Sequence, residues 1–185
     1  IAFYDDPVRF TASVETLCDE LEARVERGDG VTDARAPRIV LSGCPMAVPN
    51  WKLPAIVETT GAVIVGEESC IGDRGQQNLV ADRGDTVEAL VNTIVARYFT
   101  VDCAVFTPNP TRPEHTIDIA RGGEADGVIH YALQFCSPYQ IEAPLLETAV
   151  EAGGVPVLKI DTDYSTEDVE QLRTRVEAFV EQIGG

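Results

Sequence analysis

Arg38-Ile39-Val40-Leu41-Ser42-Gly43 is a short apolar run rich in β-branched residues and closed by glycine. It lacks the polar–apolar alternation of a strand with one wet face, so it reads as a strand buried on both sides. Ala62–Val65, Gly127–Tyr131 and Val155–Ile160 are runs of the same kind, and Val101–Phe106 is expected to add another. Between them the apolar positions fall at helical spacing. Pro7–Arg27 places Val8, Phe10, Val14, Leu17, Leu21 and Val25 on one face, and Thr86–Tyr98 does so with Val87, Leu90, Val91, Ile94 and Val95, with Asp85 as the expected N-cap. Asn50–Thr60, Glu114–Gly122, Glu142–Ala152 and Thr166–Ile183 complete the helices, with loops over 28–37, Gly66–Gly84 and 107–113. Strands alternating with helices predict a three-layer α/β domain, Rossmann-like or flavodoxin-like, around a mainly parallel sheet. A single domain over 1–185 is expected, with 1–37 as leading helix and linker and 38–185 as the core.

The 185 residues carry 31 acidic and 14 basic side chains, a net charge of −17, and only Lys52 and Lys159 are lysines. Such a surface suits a salt-rich, halophilic cytoplasm, where net charge keeps a protein dispersed. It argues against nucleic acid and anionic lipid as partners, since phosphate binding rests on Lys and Arg. No apolar stretch approaches the roughly 18 residues of a membrane span, and no secretory signal is visible, so a cytoplasmic location is expected. The chain opens on Ile1 rather than Met, as expected of a piece of a longer protein.

Five cysteines, at 18, 44, 70, 103 and 136, include no CxxC pair, which excludes zinc-ribbon and thioredoxin motifs. In an open parallel sheet, ligands bind beyond the carboxyl ends of the strands. Cys44, Cys70 and Cys136 each follow a predicted strand, and the acidic loop Asp161-Thr162-Asp163-Tyr164-Ser165 follows the last one. Three thiolates at one sheet edge could hold an iron–sulfur cluster, whose irons prefer sulfur ligands. The competing reading is that free cysteines behave as small core hydrophobes, the stronger reading for Cys18 on its helix.

Several stretches together carry a resemblance to a known family. They are Ser42-Gly43-Cys44-Pro45-Met46-Ala47-Val48-Pro49-Asn50-Trp51-Lys52-Leu53-Pro54, Glu67-Glu68-Ser69-Cys70-Ile71-Gly72-Asp73-Arg74, Arg97-Tyr98-Phe99 with Asp102-Cys103-Ala104, and Gly127-Val128-Ile129-His130 through Gln134-Phe135-Cys136. Asp161–Ser165 and the closing helix continue the match in the same order. The chain resembles the 2-hydroxyacyl-CoA dehydratase / benzoyl-CoA reductase family (2-hydroxyglutaryl-CoA dehydratase D-component-like), and most closely its double-cubane-cluster branch of anaerobic reductases. The resemblance implies an oxygen-sensitive subunit with a cysteine-bound cluster, either a 4Fe-4S cubane or an 8Fe-9S double cubane. It also implies an ATP-hydrolysing iron–sulfur activator as electron donor, and a homo- or heterodimer. By motif, the resemblance assigns Cys44 and Cys136 as ligands, with Cys70 and Cys103 as further ones. The family's longer chains supply more ligands from an N-terminal part, so these residues alone are expected to be inactive.

Three functions follow. The first is a double-cubane reductase of small molecules, the second a dehydratase (a lyase) acting on a 2-hydroxyacyl-CoA through a ketyl radical. The third is a flavodoxin-like binding module with packed cysteines, which no GxGxxG or P-loop pattern supports. Around the cysteines, Trp51 and Lys52 read either as pocket residues or as packing, and Arg74 as an anion ligand or a solvated loop residue. His130, inside an apolar strand, reads as a satisfied core histidine before a ligand, proton donor or pocket residue. Asp161 and Asp163 read either as proton relays or as the turn capping the last helix.

Overall fold

The computed structural model describes residues 6–45, 50–69, 72–81, 84 and 86–184. The chain falls into two units, Ile1–Ala36 and Pro37–Gly185. In the first, α1 (Pro7–Arg27) starts at Asp6, whose side chain accepts from the Val8 and Arg9 amides, and ends at Gly28 in the left-handed conformation. The helix is the expected one, and none of its residues is buried.

The second unit is built on four parallel strands, β1 (Arg38–Gly43), β2 (Val63–Glu68), β3 (Gly127–Leu133) and β4 (Val157–Thr162), in the spatial order β2-β1-β3-β4. Val40 lies beside Val128 and Gly66, and Ile129 beside Leu158. The predicted parallel α/β architecture is therefore present. Its apolar strands divide by parity: Ile39, Leu41, Ile129 and Tyr131 enter one core, and Val40 and Val128 the other. The first core is closed by α2 (Lys52–Thr59) and α7 (Val169–Ile183), through Leu53, Ile56, Val57, Leu172 and Val176. The second is closed by α5 (Thr111–Gly122) and α6 (Ser137–Ala152), through Ala120, Leu146 and Val150. Pro54 falls in the first turn of α2, where its missing N–H costs nothing.

Several expected boundaries move. Residues 101–106 form no strand. Their carbonyls are taken by side chains instead, Asp102 by the Arg74 guanidinium and Cys103 by the Asn109 amide, so no ladder forms. β2 runs on to Glu68, and a short helix, α3 (Asp73–Gln76), lies within the expected loop. α4 (Val87–Tyr98) is capped by Thr86, whose hydroxyl accepts from the Ala89 amide, not by Asp85, which lies outside the described residues. The expected apolar face of α4 is exposed. α5 and α6 each start earlier than predicted, at Thr111 and at Ser137. Among the described residues, no helix is long and apolar enough to cross a membrane.

Candidate metal-binding site at the strand switch point

The order β2-β1-β3-β4 means that the chain leaves β1 toward one edge and, after β2, returns to β1's other side as β3. The carboxyl ends of β1 and β3 therefore flank the switch point, where open α/β sheets place their ligands. Cys44 directly follows β1 and Cys136 lies three residues past β3. The two thiols meet there: Cys136 packs against the core cluster that holds Cys44, and it acts directly on the Cys44 thiol.

Backbone geometry forces this meeting. Gly43 has φ +125°, and a Cβ on it would stand 1.9 Å from the Tyr131 carbonyl oxygen, so only glycine fits. The Cys44 amide then donates to that same carbonyl at 2.9 Å. Farther along, the Asn50 side-chain amide donates to the Tyr131 hydroxyl at 3.0 Å, so Cys44 and Asn50 are both tied to one tyrosine. On the other strand, Phe135 adopts a left-handed φ of 67°, an uncommon conformation for a bulky residue, and turns the chain back at Cys136. The Cys136 amide donates to the Leu133 carbonyl, and Cys136 occupies the N-cap position of α6, where a helix favours negative charge.

Cys44 is buried, and burial first, then Cys136, pushes its thiol up to about 12, against the pull of the Leu133 amide and the Arg112 charge. A desolvated thiol paired with a second thiol is a poor nucleophile at neutral pH. Two adjacent soft donors, one of them receiving a backbone N–H at 3.4 Å, suit an iron–sulfur cluster. In a protein that carries such a cluster, these two residues would supply part of its ligand set. Among the described residues no group of three or more His, Cys, Asp or Glu side chains could hold a metal ion. Cys70 lies outside the described residues. Cys18 is exposed on α1, not packed into a core.

Behind the thiols stands a buried ionic network that sequence reading missed. Glu68, at the end of β2, pairs with Arg74 at 3.0 Å and with Arg112 at 3.0 Å. Arg112 also pairs with Glu142 on α6 and stacks 4.9 Å from the Tyr139 ring centroid. Ser42 donates to Glu68 at 2.7 Å, and Asn109 donates to Glu142 at 3.1 Å. Arg74 is thus neither a solvated loop arginine nor free to bind an anion. Its donors go to Glu68, the Asp102 carbonyl and the Tyr139 hydroxyl. Burial first pushes the Tyr139 hydroxyl up to about 12, so it stays protonated. The sequence signal for this network was the charged pair Glu67-Glu68 ending an apolar strand. Arg112, between prolines in a segment read as loop, carried none.

The remaining candidates divide. Trp51 is exposed and lines a groove of roughly 610 Å³ with Tyr164 and Arg173. Lys52 lines it too, but its ammonium is consumed by Thr162 (2.7 Å), the carbonyls of Asp163 (2.8 Å) and Ser165 (2.7 Å), and Asp168 (2.7 Å). It is a clamp on the loop after β4. Burial pushes the Asp168 carboxyl up, but the Lys52 and Thr162 hydrogen bonds outweigh this and hold it below the usual range. His130 is buried as expected but not satisfied. Neither ring nitrogen has a hydrogen-bond partner of normal geometry among the described residues, although the Tyr139 backbone acts on it. Burial, then the Arg112 charge, lowers it to about 3, so it is neutral. Asp161 sits inside β4, not in the turn beyond it, and accepts from Gln140. Asp163 receives the Ser165 amide at 2.7 Å, so it shapes the turn, while the N-cap position of α7 belongs to Asp168.

Comparison with known proteins gives the chain a family. The model of the family described as "2-hydroxyglutaryl-CoA dehydratase, D-component" matches residues 1–183. The chain is 33% identical over 180 residues to the Escherichia coli (strain K12) protein named "Putative dehydratase subunit YjiM", covering 94% of this chain and 46% of that one. It is 25% identical over 183 residues to the (R)-phenyllactyl-CoA dehydratase beta subunit of Clostridium sporogenes, covering 98% and 46%. To one of the benzoyl-CoA reductase subunits of Thauera aromatica it is 22% identical over 146 residues, covering 79% and 38%. The chain thus spans less than half the length of these relatives.

Proposed function

This chain belongs to the 2-hydroxyglutaryl-CoA dehydratase D-component family, and from that premise we propose that it is part of the cluster-bearing subunit of a 2-hydroxyacyl-CoA dehydratase. The observation that supports this reading is the meeting of Cys44 and Cys136 at the switch point of the sheet. Those two thiols bind the iron–sulfur cluster together with ligands from outside the described residues. When bound, the cluster supplies low-potential single electrons. The chain's own contribution is positional. Gly43 and Phe135 set the two turns, the Leu133 amide donates to the Cys44 sulfur, and the core around Cys44 keeps water away. Electrons come from an ATP-hydrolysing iron–sulfur activator, and the enzyme is made whole by a second subunit, as the relatives' names as subunits suggest.

The similarity to a benzoyl-CoA reductase subunit favours a second reading, an anaerobic reductase, of which the double-cubane type is one form. The double cubane draws on Cys103 and Cys70. The test is anaerobic turnover of the whole protein with activator and ATP. The dehydratase reading expects a 2-hydroxyacyl-CoA to become a 2-enoyl-CoA plus water, with no net electron consumption. ATP-dependent electron consumption without a dehydrated product supports the reductase. Neither activity in iron-loaded protein overturns both.

A further inference from the structure

Four segments lead to or from cysteines: the end of β1, the end of β2, the 101–109 loop, and the start of α6. One buried network touches all four. Ser42, two residues before Cys44, donates to Glu68 (2.7 Å), which lies two residues before Cys70. Asn109 joins the Cys103 carbonyl (3.0 Å) to Glu142 (3.1 Å), on the helix that Cys136 opens. At the centre is Arg112, which is fully buried and paired with both Glu68 and Glu142. A planar guanidinium presents a rigid fork of donors to two carboxylates at once, where a lysine offers only a flexible point charge. Two glutamates and two arginines also balance, so the network carries no net charge into the core.

We propose that Arg112 is a positioning residue that, through Glu68 and Glu142, holds the ends of β1 and β2 and the start of α6 in register, so that Cys44 and Cys136 form a metal-competent pair. This inference rests on the reading of those cysteines as ligands. It assigns Arg112 no contact with the metal. Partners that orient ligands in this way are worth about 10–100-fold in metal affinity.

Cadmium binding to the metal-free whole protein tests this, read by the thiolate-to-cadmium absorption in the ultraviolet. Removing Arg112 alone strands Glu142, and such a variant risks unfolding. The double variant Arg112→Met/Glu142→Met removes a balanced pair and leaves the Glu68–Arg74 pair intact. The expected result is a wild-type site abolished by Cys44→Ser or Cys136→Ser and weakened about 10–100-fold in the double variant, with unchanged circular dichroism. Wild-type affinity in a folded double variant overturns the proposal, as does a wild-type protein whose cadmium absorption survives Cys44→Ser. Iron content, measured separately after anaerobic reconstitution, keeps the two readings apart. Cadmium binding that depends on Arg112, in a protein that takes up no iron, upholds the positioning role and defeats the cluster assignment.

Discussion

The backbone N–H of Leu133 donates to the Cys44 sulfur at 3.4 Å, across 89 residues of chain. Leu133 is the last residue of β3 and Cys44 the first beyond β1, so the bond spans the switch point. It exists because β1 and β3 are neighbours in register, with Gly43 opposite Tyr131. A sulfur that receives an amide proton is held in place and made a better home for negative charge.

Gly43 is the tightest point of that arrangement. With φ +125° and the Tyr131 carbonyl 1.9 Å from any added Cβ, Gly43→Ala must displace the end of β1. We expect a loss of about 1–3 kcal/mol in urea unfolding and a sharp fall in bound iron. Wild-type iron content in a stable Gly43→Ala variant counts against the turn as the device that presents Cys44.

His130 makes stability depend on pH in a defined direction. In the folded chain it titrates near 3, against an ordinary value of 6.5, because burial penalises the imidazolium. Between those values the unfolded chain binds the extra proton, so stability falls as pH drops below 6.5 and is fully present above it. The slope from this residue is about 1.4 kcal/mol per pH unit. In His130→Leu that share of the acid sensitivity disappears, as the difference between the two urea-midpoint profiles between pH 6.5 and 4.5 will show.

Lys52 fastens α2 to the loop after β4 with four acceptors. Lys52→Met leaves Asp168 and two carbonyls without their cation and costs about 2–3 kcal/mol in thermal or urea unfolding. Because its charge is consumed locally, the iron content of the folded variant stays at the wild-type level. A folded variant without iron would return Lys52 to the metal site.

The net charge of −17 sets the response to salt. Self-repulsion at that charge opposes the compact state, and salt screens it. The melting temperature should rise steadily from dilute buffer to molar potassium chloride. Greater stability in dilute buffer would argue against the salt-adapted reading of the composition.

The architecture was legible because the strands are buried on both faces and say so in their composition, as in Ile39-Val40-Leu41 and Val128-Ile129. Cys44 and Cys136 were legible as a pair because both follow strands and parallel strands share a carboxyl edge. Helix starts were not: α6 begins at Ser137 with Pro138 in its first turn, and proline there looks like loop until the helix is seen. Val101–Phe106 has strand-like composition, yet its carbonyls serve Arg74 and Asn109, partners far away in sequence or hidden among prolines. The same distance concealed Arg112, whose pairing with Glu68 spans 44 residues. A charged residue declares its burial only when its partner is known.

The most direct measurement is iron and acid-labile sulfide per chain, in the whole protein reconstituted anaerobically, for the wild type and for Cys44→Ser, Cys136→Ser and Cys103→Ser. The account predicts about four irons in the wild type, loss of most of them in either of the first two variants, and retention in Cys103→Ser. Full iron content in Cys44→Ser and Cys136→Ser would contradict it and return both thiols to the core.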